Sequence, residues 1–192
     1  MKNLFKTDID RDQQARDAKK IDRDFNALSY YNYLLARRIF KRTKPDTKEI
    51  KRIYKSKVND IRKTLDKYLI QEASKKMEEL LLEEFKYFNK LYRAQEKKNS
   101  SDIKKYSEKI NTVHLKLAKL SCLLDHKPDC DPSKTILYKI LSDKLNIYKT
   151  FVDKCYVNDC NGQTAEKYME LVRKNENEMV QFIVSGIIYH NH

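Results

Sequence analysis

The stretch DIKKYSEKINTVHLKLAKLSCLL, residues 102–124, carries the clearest pattern in the chain and decides its fold class. Its apolar side chains lie alternately three and four residues apart, which is typical of a helix that packs its apolar face against another helix. This spacing holds without a break through Ile103, Tyr106, Ile110, Val113, Leu117, Leu120 and Leu124. We therefore expect a partner helix, which is either the preceding predicted helix folded back or a helix of another chain.

The composition extends the helical prediction to the whole chain. Of the 192 residues, 40% are apolar and 36% are charged, and the mean hydropathy is -0.83, so the chain is apolar enough to fold but too polar for a membrane protein. Only two glycines, Gly162 and Gly186, and three prolines occur, so sheet turns and glycine-rich phosphate loops are almost excluded. No apolar run approaches the roughly 18 residues of a membrane span. The sequence predicts an all-α bundle of about five amphipathic helices.

The same spacing predicts four further helices, at residues 8–42, 46–98, 132–155 and 164–182. At 1.5 Å per residue the second of these would be about 80 Å long, so we allow for a break near Ala73 and Ser74.

Three sequence signals predict where helices begin. Asp46, followed three residues later by Glu49, is typical of a capping box, and Thr164 is a helix cap by type. The pair Asp131–Pro132 predicts another start, because proline is favoured at the first helical position. We divide the chain into a basic long-helix region, 1–121, and a disulfide-stabilised region, 122–192, with one continuous domain as the alternative.

The net charge of +13 is concentrated in the first part of the chain. Residues 37–76 contain 15 basic and 5 acidic residues. A basic zone of this kind can bind a polyanion such as nucleic acid, although lysine-rich helices also carry such charge simply as their solvated face. The candidate polyanion-binding residues are Arg37, Arg38, Lys41, Arg42, Lys51, Arg52 and Lys55.

Candidate catalytic and metal-binding residues are few. Neither a nucleophile–base pair nor a pair of catalytic carboxylates can be identified, so we expect a protein that is not an enzyme and needs no cofactor. Cys122, His126 and Cys130 lie at four-residue steps and would align on a helix as zinc ligands. Pro128 disfavours helix at that point, so we predict no metal site.

Four cysteines, Cys122, Cys130, Cys155 and Cys160, lie close together in the sequence. A straight helix from residue 133 to Cys155 would span about 33 Å, whereas bridged Cα atoms lie within about 7 Å, which excludes a bridge from Cys130 to Cys155. Cys122 could reach Cys160 only if another element brought them together. We therefore favour local bridges, Cys122 to Cys130 and Cys155 to Cys160, the second of which requires the helix to unwind near Val157.

Clustered cysteines are typical of secreted proteins, whereas the opening MKNLFKTDID lacks the apolar core of a signal peptide. We expect a secreted protein whose leader has been removed, with a cytoplasmic location as the alternative.

The string CLLDHKPDCDPSKTILYKIL, Cys122 to Leu141, resembles the insect chemosensory proteins, in which a helix ends in Cys-Leu-Leu-Asp and a short proline-containing loop leads to a second cysteine. The three cysteine intervals are longer than in that family, and the resemblance covers under a third of the chain. It implies bridged neighbouring cysteines and a helical bundle around a channel for apolar ligands. Cys155, Tyr156 and Cys160 are similar to a motif of the secreted aphid effectors called bicycle proteins.

Three hypotheses for function follow. The first is a secreted, non-enzymatic helical binding protein, in one form an insect effector, which contacts another protein through its helical surface. The second is an intracellular basic scaffold or nucleic-acid-binding protein that uses the stripe of residues 103–124 and the basic residues 37–76 to join a larger assembly or a nucleic acid. The third is a carrier of small apolar ligands, with a pocket lined by Leu141, Leu145, Met179 and Phe182.

Overall fold

The computed structural model describes residues 10–41, 46–124, 127, 129–157 and 162–189. Six α-helices follow one another in these ranges, and together they confirm the predicted all-α bundle. They are α1 (Arg11–Lys41), α2 (Thr47–Leu65), α3 (Gln71–Glu96), α4 (Ser100–Leu124), α5 (Ile136–Val152) and α6 (Gly162–Ile183). None of the described helices is long and apolar enough to cross a membrane.

The sixth helix arises because predicted helix 46–98 is divided in two. The break lies at residues 66–70, so the position expected near Ala73 and Ser74 is wrong. Neither glycine nor proline marks it, and the turn is held by polar contacts instead. The Ser74 hydroxyl donates to the Asp66 carboxylate, and Asp17 of α1 accepts hydrogen bonds from Lys67 Nζ and the Tyr68 hydroxyl. These contacts stabilise a tight connection between α2 and α3.

The partner that the stripe of α4 requires is α3 of the same chain. The two helices are antiparallel and are joined by residues 97–99. Ile110, Val113 and Leu117 of the stripe are buried. Of the two alternatives left open by the sequence, the helix folded back within the chain is the observed one.

Other helix starts differ in part from expectation. Asp46 caps α2 as predicted, because its carboxylate accepts from the amide of Glu49 at 2.8 Å. Pro132 begins only one turn of 3-10 helix, and α5 begins after Thr135, whose hydroxyl accepts from the amide of Tyr138. Thr164 lies inside α6 and does not cap it. In both corrected cases the local signal is present but the chain begins its α-helix a few residues away.

The hydrophobic core is continuous from Ile21 in α1 to Ile188 near the end of the chain. It contains residues from all six helices, which pack around a common interior. The proposed division of the chain at residues 121 and 122 stays a prediction.

Candidate functional sites

A network of ionisable side chains lies in the middle of this apolar core. Glu84 of α3 accepts hydrogen bonds from Lys144 Nζ of α5, at 3.1 Å on Oε1 and 2.9 Å on Oε2. His114 Nε2 of α4 lies 2.8 Å from Glu84 Oε1, and since an ionised carboxylate only accepts, the imidazole donates from Nε2. His114 Nδ1 has no partner among the described residues. All three side chains are buried, so one carboxylate joins three helices.

The charge state of Glu84 follows from these neighbours. Burial alone would raise the pKa of its carboxyl, but the Lys144 ammonium and the hydrogen bond from His114 lower the pKa to about 2. Glu84 and Lys144 are therefore an internal ion pair at neutral pH.

A second buried carboxyl, Glu176 of α6, is in the opposite state. Burial raises its pKa to about 8, and although Lys144 lowers it, the negative charge of Glu84 adds to the rise. The Tyr148 hydroxyl lies 3.5 Å from Glu176 Oε1. At pH 7 Glu176 is mainly protonated, so it adds no second negative charge beside Glu84.

Access to this network is narrow. A void of about 10 Å³ lies beside Lys144, among Ser29, Asn32 and Tyr54. That is room for about one water molecule. The arrangement can position helices and hold protons, but the void does not admit a substrate.

A separate cavity, lined almost wholly by apolar side chains, lies between the helices. It leaves about 40 Å³ open to the centres of water-sized molecules. Three of the four residues predicted to line a ligand pocket, Leu141, Met179 and Phe182, lie on its wall, whereas Leu145 is buried in the core and does not line it. The rest of the wall consists of Phe25, Met77, Leu81, Leu117, Ser121, Leu124, Leu137, Ile183, Gly186 and Ile187.

An open groove of about 590 Å³ adjoins the cavity between α5 and the end of the chain. Phe182 and Gly186 line both spaces. Ile136, at the start of α5, is 70% exposed in this groove. Gly186 belongs to one π-helical turn, Val184–Ile188, and a Cβ added there would meet nothing within 4 Å.

The predicted polyanion-binding residues lie at the surface where they are described. Arg37 is exposed and Arg38 half-buried, while Arg42 and the side chain of Lys41 lie outside the described residues. Lys51, Arg52 and Lys55 are exposed on α2. With Lys48 and Lys63 they occupy an arc of about 120° on the outer side of that helix, at 100° per residue.

A more compact group of cations lies on α3 and α4 and was not predicted from the sequence. We name it the lysine–tyrosine patch: Lys86, Tyr87, Lys90, Lys105, Tyr106 and Lys109. The ring of Tyr87 lies 5.9 Å from Lys86 Nζ and 5.4 Å from Lys109 Nζ. The ring of Tyr106 lies 5.5 Å from Lys90 Nζ and 5.6 Å from Lys105 Nζ. The repeated four-residue spacing of lysines was visible in the sequence, but the pairing of the two helices was not.

The cysteines agree with the local pairing where they are described. Cys122 and Cys130 form a disulfide, with Cα atoms 6.0 Å apart. Cys155 is buried and disulfide-bonded, and Cys160 lies outside the described residues. The α-helix ends at Val152, before a π-helical turn, Asp153–Val157. Within the described ranges no group of histidine, cysteine or carboxylate side chains could hold a metal ion.

Comparison of the chain with protein-family models, with curated proteins and with solved structures gives no match.

Proposed function

We propose that this chain is an extracellular, non-enzymatic protein that binds a small apolar ligand in the cavity between its helices. The observation that carries the proposal is the cavity's apolar wall. Its volume of about 40 Å³ exceeds the roughly 10–15 Å³ that one water needs. Ser121 is the polar side chain on the wall, and its hydroxyl already donates to the carbonyl of Ala118. Water would find too few partners there, so an apolar molecule is the better occupant.

The shape of the wall limits the class of ligand. No charged side chain is among the described residues that line the cavity, and about 40 Å³ is room for only about three water molecules, so the part of the ligand that it holds is uncharged and no larger than a few carbon atoms. Met77 and Met179 have flexible, unbranched side chains that can adapt to its shape. A longer apolar tail could leave past Phe182 and Gly186 into the groove.

The disulfide supports the extracellular part of the proposal. Bridges of this kind persist in oxidising compartments, whereas cytosolic thiols are kept reduced. Ser121 and Leu124 flank the bridged Cys122 and line the cavity, so the Cys122–Cys130 bridge stabilises one end of its wall. Four titratable thiols in the unreduced native protein would contradict this part. The narrower prediction of an insect effector rests on the resemblance alone.

The scaffold alternative loses part of its support. It required the stripe of α4 to be free for another chain, but α3 of the same chain covers that stripe.

The cavity is tested with xenon as the probe. Xenon is expected to show a bound chemical shift in its NMR spectrum and to raise the melting temperature, because a ligand that binds only the folded state stabilises it. Gly186→Leu should weaken xenon binding at least tenfold, because Gly186 lines both the cavity and the groove, and a side chain added there has free space in which to block the passage between them.

The matched control is Ser185→Leu, which adds the same side chain at a residue that lines the groove and not the cavity. It should bind xenon as the unaltered protein does. Absence of any bound xenon signal, or equal loss of xenon binding in both variants, would overturn the proposal.

A further inference from the structure

We infer that the lysine–tyrosine patch is a docking surface for a linear sulfated polysaccharide. The four ammonium groups come from two antiparallel helices and converge on two tyrosine rings. Each ring is contacted by one lysine of its own helix and one of the neighbouring helix. Cation–π contacts restrict lysine side chains that would otherwise be mobile, so less entropy is lost when an anion binds.

The carboxylates Glu83, Asp102 and Glu108 lie within one turn of the patch in the sequence, but none of them pairs with its lysines among the described residues. Lys86 and Lys90 are four residues apart on α3, as are Lys105 and Lys109 on α4, and like charges at this spacing repel each other. None of these four lysines forms an ion pair in the parts of the chain that the structure describes. The neighbouring carboxylate of Glu83 accepts from the Tyr87 hydroxyl. A bound anion would relieve the repulsion.

The outer arc of α2 is a weaker candidate for the same partner. Its cations lie on a single helix, over an arc of about 120°, whereas those of the patch come from two helices that pack together. No aromatic ring is recorded against them among the described residues. Both surfaces are therefore positively charged. They differ in that the lysines of the patch meet at two tyrosine rings, which restrict the motion of their side chains.

The arrangement of the patch argues against two other anionic partners, single-stranded nucleic acid and a membrane. The tyrosine faces are occupied by ammonium groups and are not free to stack nucleobases, as single-stranded nucleic acid requires. None of the exposed large apolar side chains lies in the patch, so nothing there can insert into a bilayer. The lysine ammonium is a point charge that can bind an anion in many orientations. The choice of a polysaccharide over duplex nucleic acid rests on the extracellular part of the proposed function.

The test measures heparin binding at several salt concentrations. Changing Lys86, Lys90, Lys105 and Lys109 together to Gln should raise the dissociation constant for heparin at least tenfold and reduce its salt dependence. The control changes four exposed lysines of α2, Lys48, Lys51, Lys55 and Lys63, to Gln, with the same loss of charge. This control should shift the constant less than threefold. Circular dichroism verifies that both variants are folded.

A second variant tests whether the arrangement of the four lysines around the tyrosine rings matters in addition to their charge. Tyr87→Leu with Tyr106→Leu keeps all four lysines but removes the rings that hold them, and should weaken heparin binding about threefold. Equal losses in the two lysine variants would overturn the inference, as would no heparin binding at about 0.15 M salt. Tighter binding of duplex DNA or of anionic vesicles would overturn it too.

The experiments distinguish failure of the polysaccharide inference from failure of the proposed cavity function. The quadruple variant of the patch should still bind xenon, and Gly186→Leu should still bind heparin.

Discussion

Lys144 is the residue whose environment departs most from its type. It is 6% exposed in an apolar core, and its ammonium is held by both oxygens of Glu84. Such a pair gives little net stability over apolar residues of similar size, but loss of one partner leaves the other charged and buried. The network therefore specifies which helices meet more than it increases stability.

Lys144→Met is expected to lower the free energy of unfolding by about 3–5 kcal/mol, because Glu84 loses its counter-ion inside the core. Urea unfolding at pH 7, followed by circular dichroism, measures the change. The control is Lys139→Met on the exposed side of the same helix, expected within about 0.5 kcal/mol of the unaltered protein. The double change of Glu84 and Lys144 to Met should recover much of the loss. A loss below about 1 kcal/mol for Lys144→Met would contradict this account.

Glu176 makes stability depend on pH. Its folded-state pKa of about 8 exceeds the unfolded value of about 4.3, so its contribution is fully present below the unfolded value and is lost as pH rises toward 8. Glu176→Gln removes this loss. As pH rises from 5 to 8, the free energy of unfolding of the variant should therefore increase relative to that of the unaltered protein, by at most about 1.4 kcal/mol per pH unit. Denaturation at four pH values tests this. Parallel profiles would exclude a raised pKa, and exposed Glu178→Gln is the control.

The contribution of Glu84 to stability depends on pH in the opposite direction. Its pKa of about 2 lies below the unfolded value, so its contribution is present above about pH 4.3 and is lost as pH falls toward 2. Acid conditions therefore destabilise the fold through Glu84, and alkaline conditions destabilise it through Glu176.

At the scale of elements, the connections decide how the helices meet. The turn between α2 and α3 depends on Asp17, a residue of α1 that is 3% exposed and accepts from Lys67, Tyr68 and Gln13. The turn was hard to place from the sequence, because besides the local contact of Ser74 with Asp66 it depends on Asp17, about fifty residues earlier in the chain.

The connection between α3 and α4 contains a residue in the left-handed region, Lys98, with φ of 51°. Glycine adopts this conformation without the steric penalty of a Cβ. Lys98→Gly is therefore expected to raise the free energy of unfolding by about 0.5–1 kcal/mol. Lys97→Gly is the matched control, since Lys97 has φ of -83° and glycine there should lower stability. Thermal or urea unfolding of both variants measures the difference, and a loss of stability in both would contradict the expectation.

At the scale of the whole molecule, the two internal spaces differ in chemistry although they share residues. Phe25, Leu81 and Met179 line both the apolar cavity and the small void beside Lys144. An apolar ligand in the cavity would therefore lie next to the charged network. The helices that form the network also form the cavity wall, so a ligand bound as proposed would contact the same helices that the network holds together.

The all-α class, the position of α4 and the cap at Asp46 could be read from the sequence, because helical spacing and capping depend on residues within one or two turns. The local bridge from Cys122 to Cys130 was also accessible, since short separation limits the possible partners. Three of the four residues predicted for an apolar pocket lie on the cavity wall, because apolar helix faces meet in the interior.

Only the tertiary structure decided the break at residues 66–70, the ion pair of Glu84 with Lys144, and the convergence of lysines on Tyr87 and Tyr106. Each depends on side chains that are distant in sequence and meet only after the helices pack. A buried carboxylate and an exposed one look alike in a sequence, and it is the loss of water around the charge, together with its new partner, that makes them different.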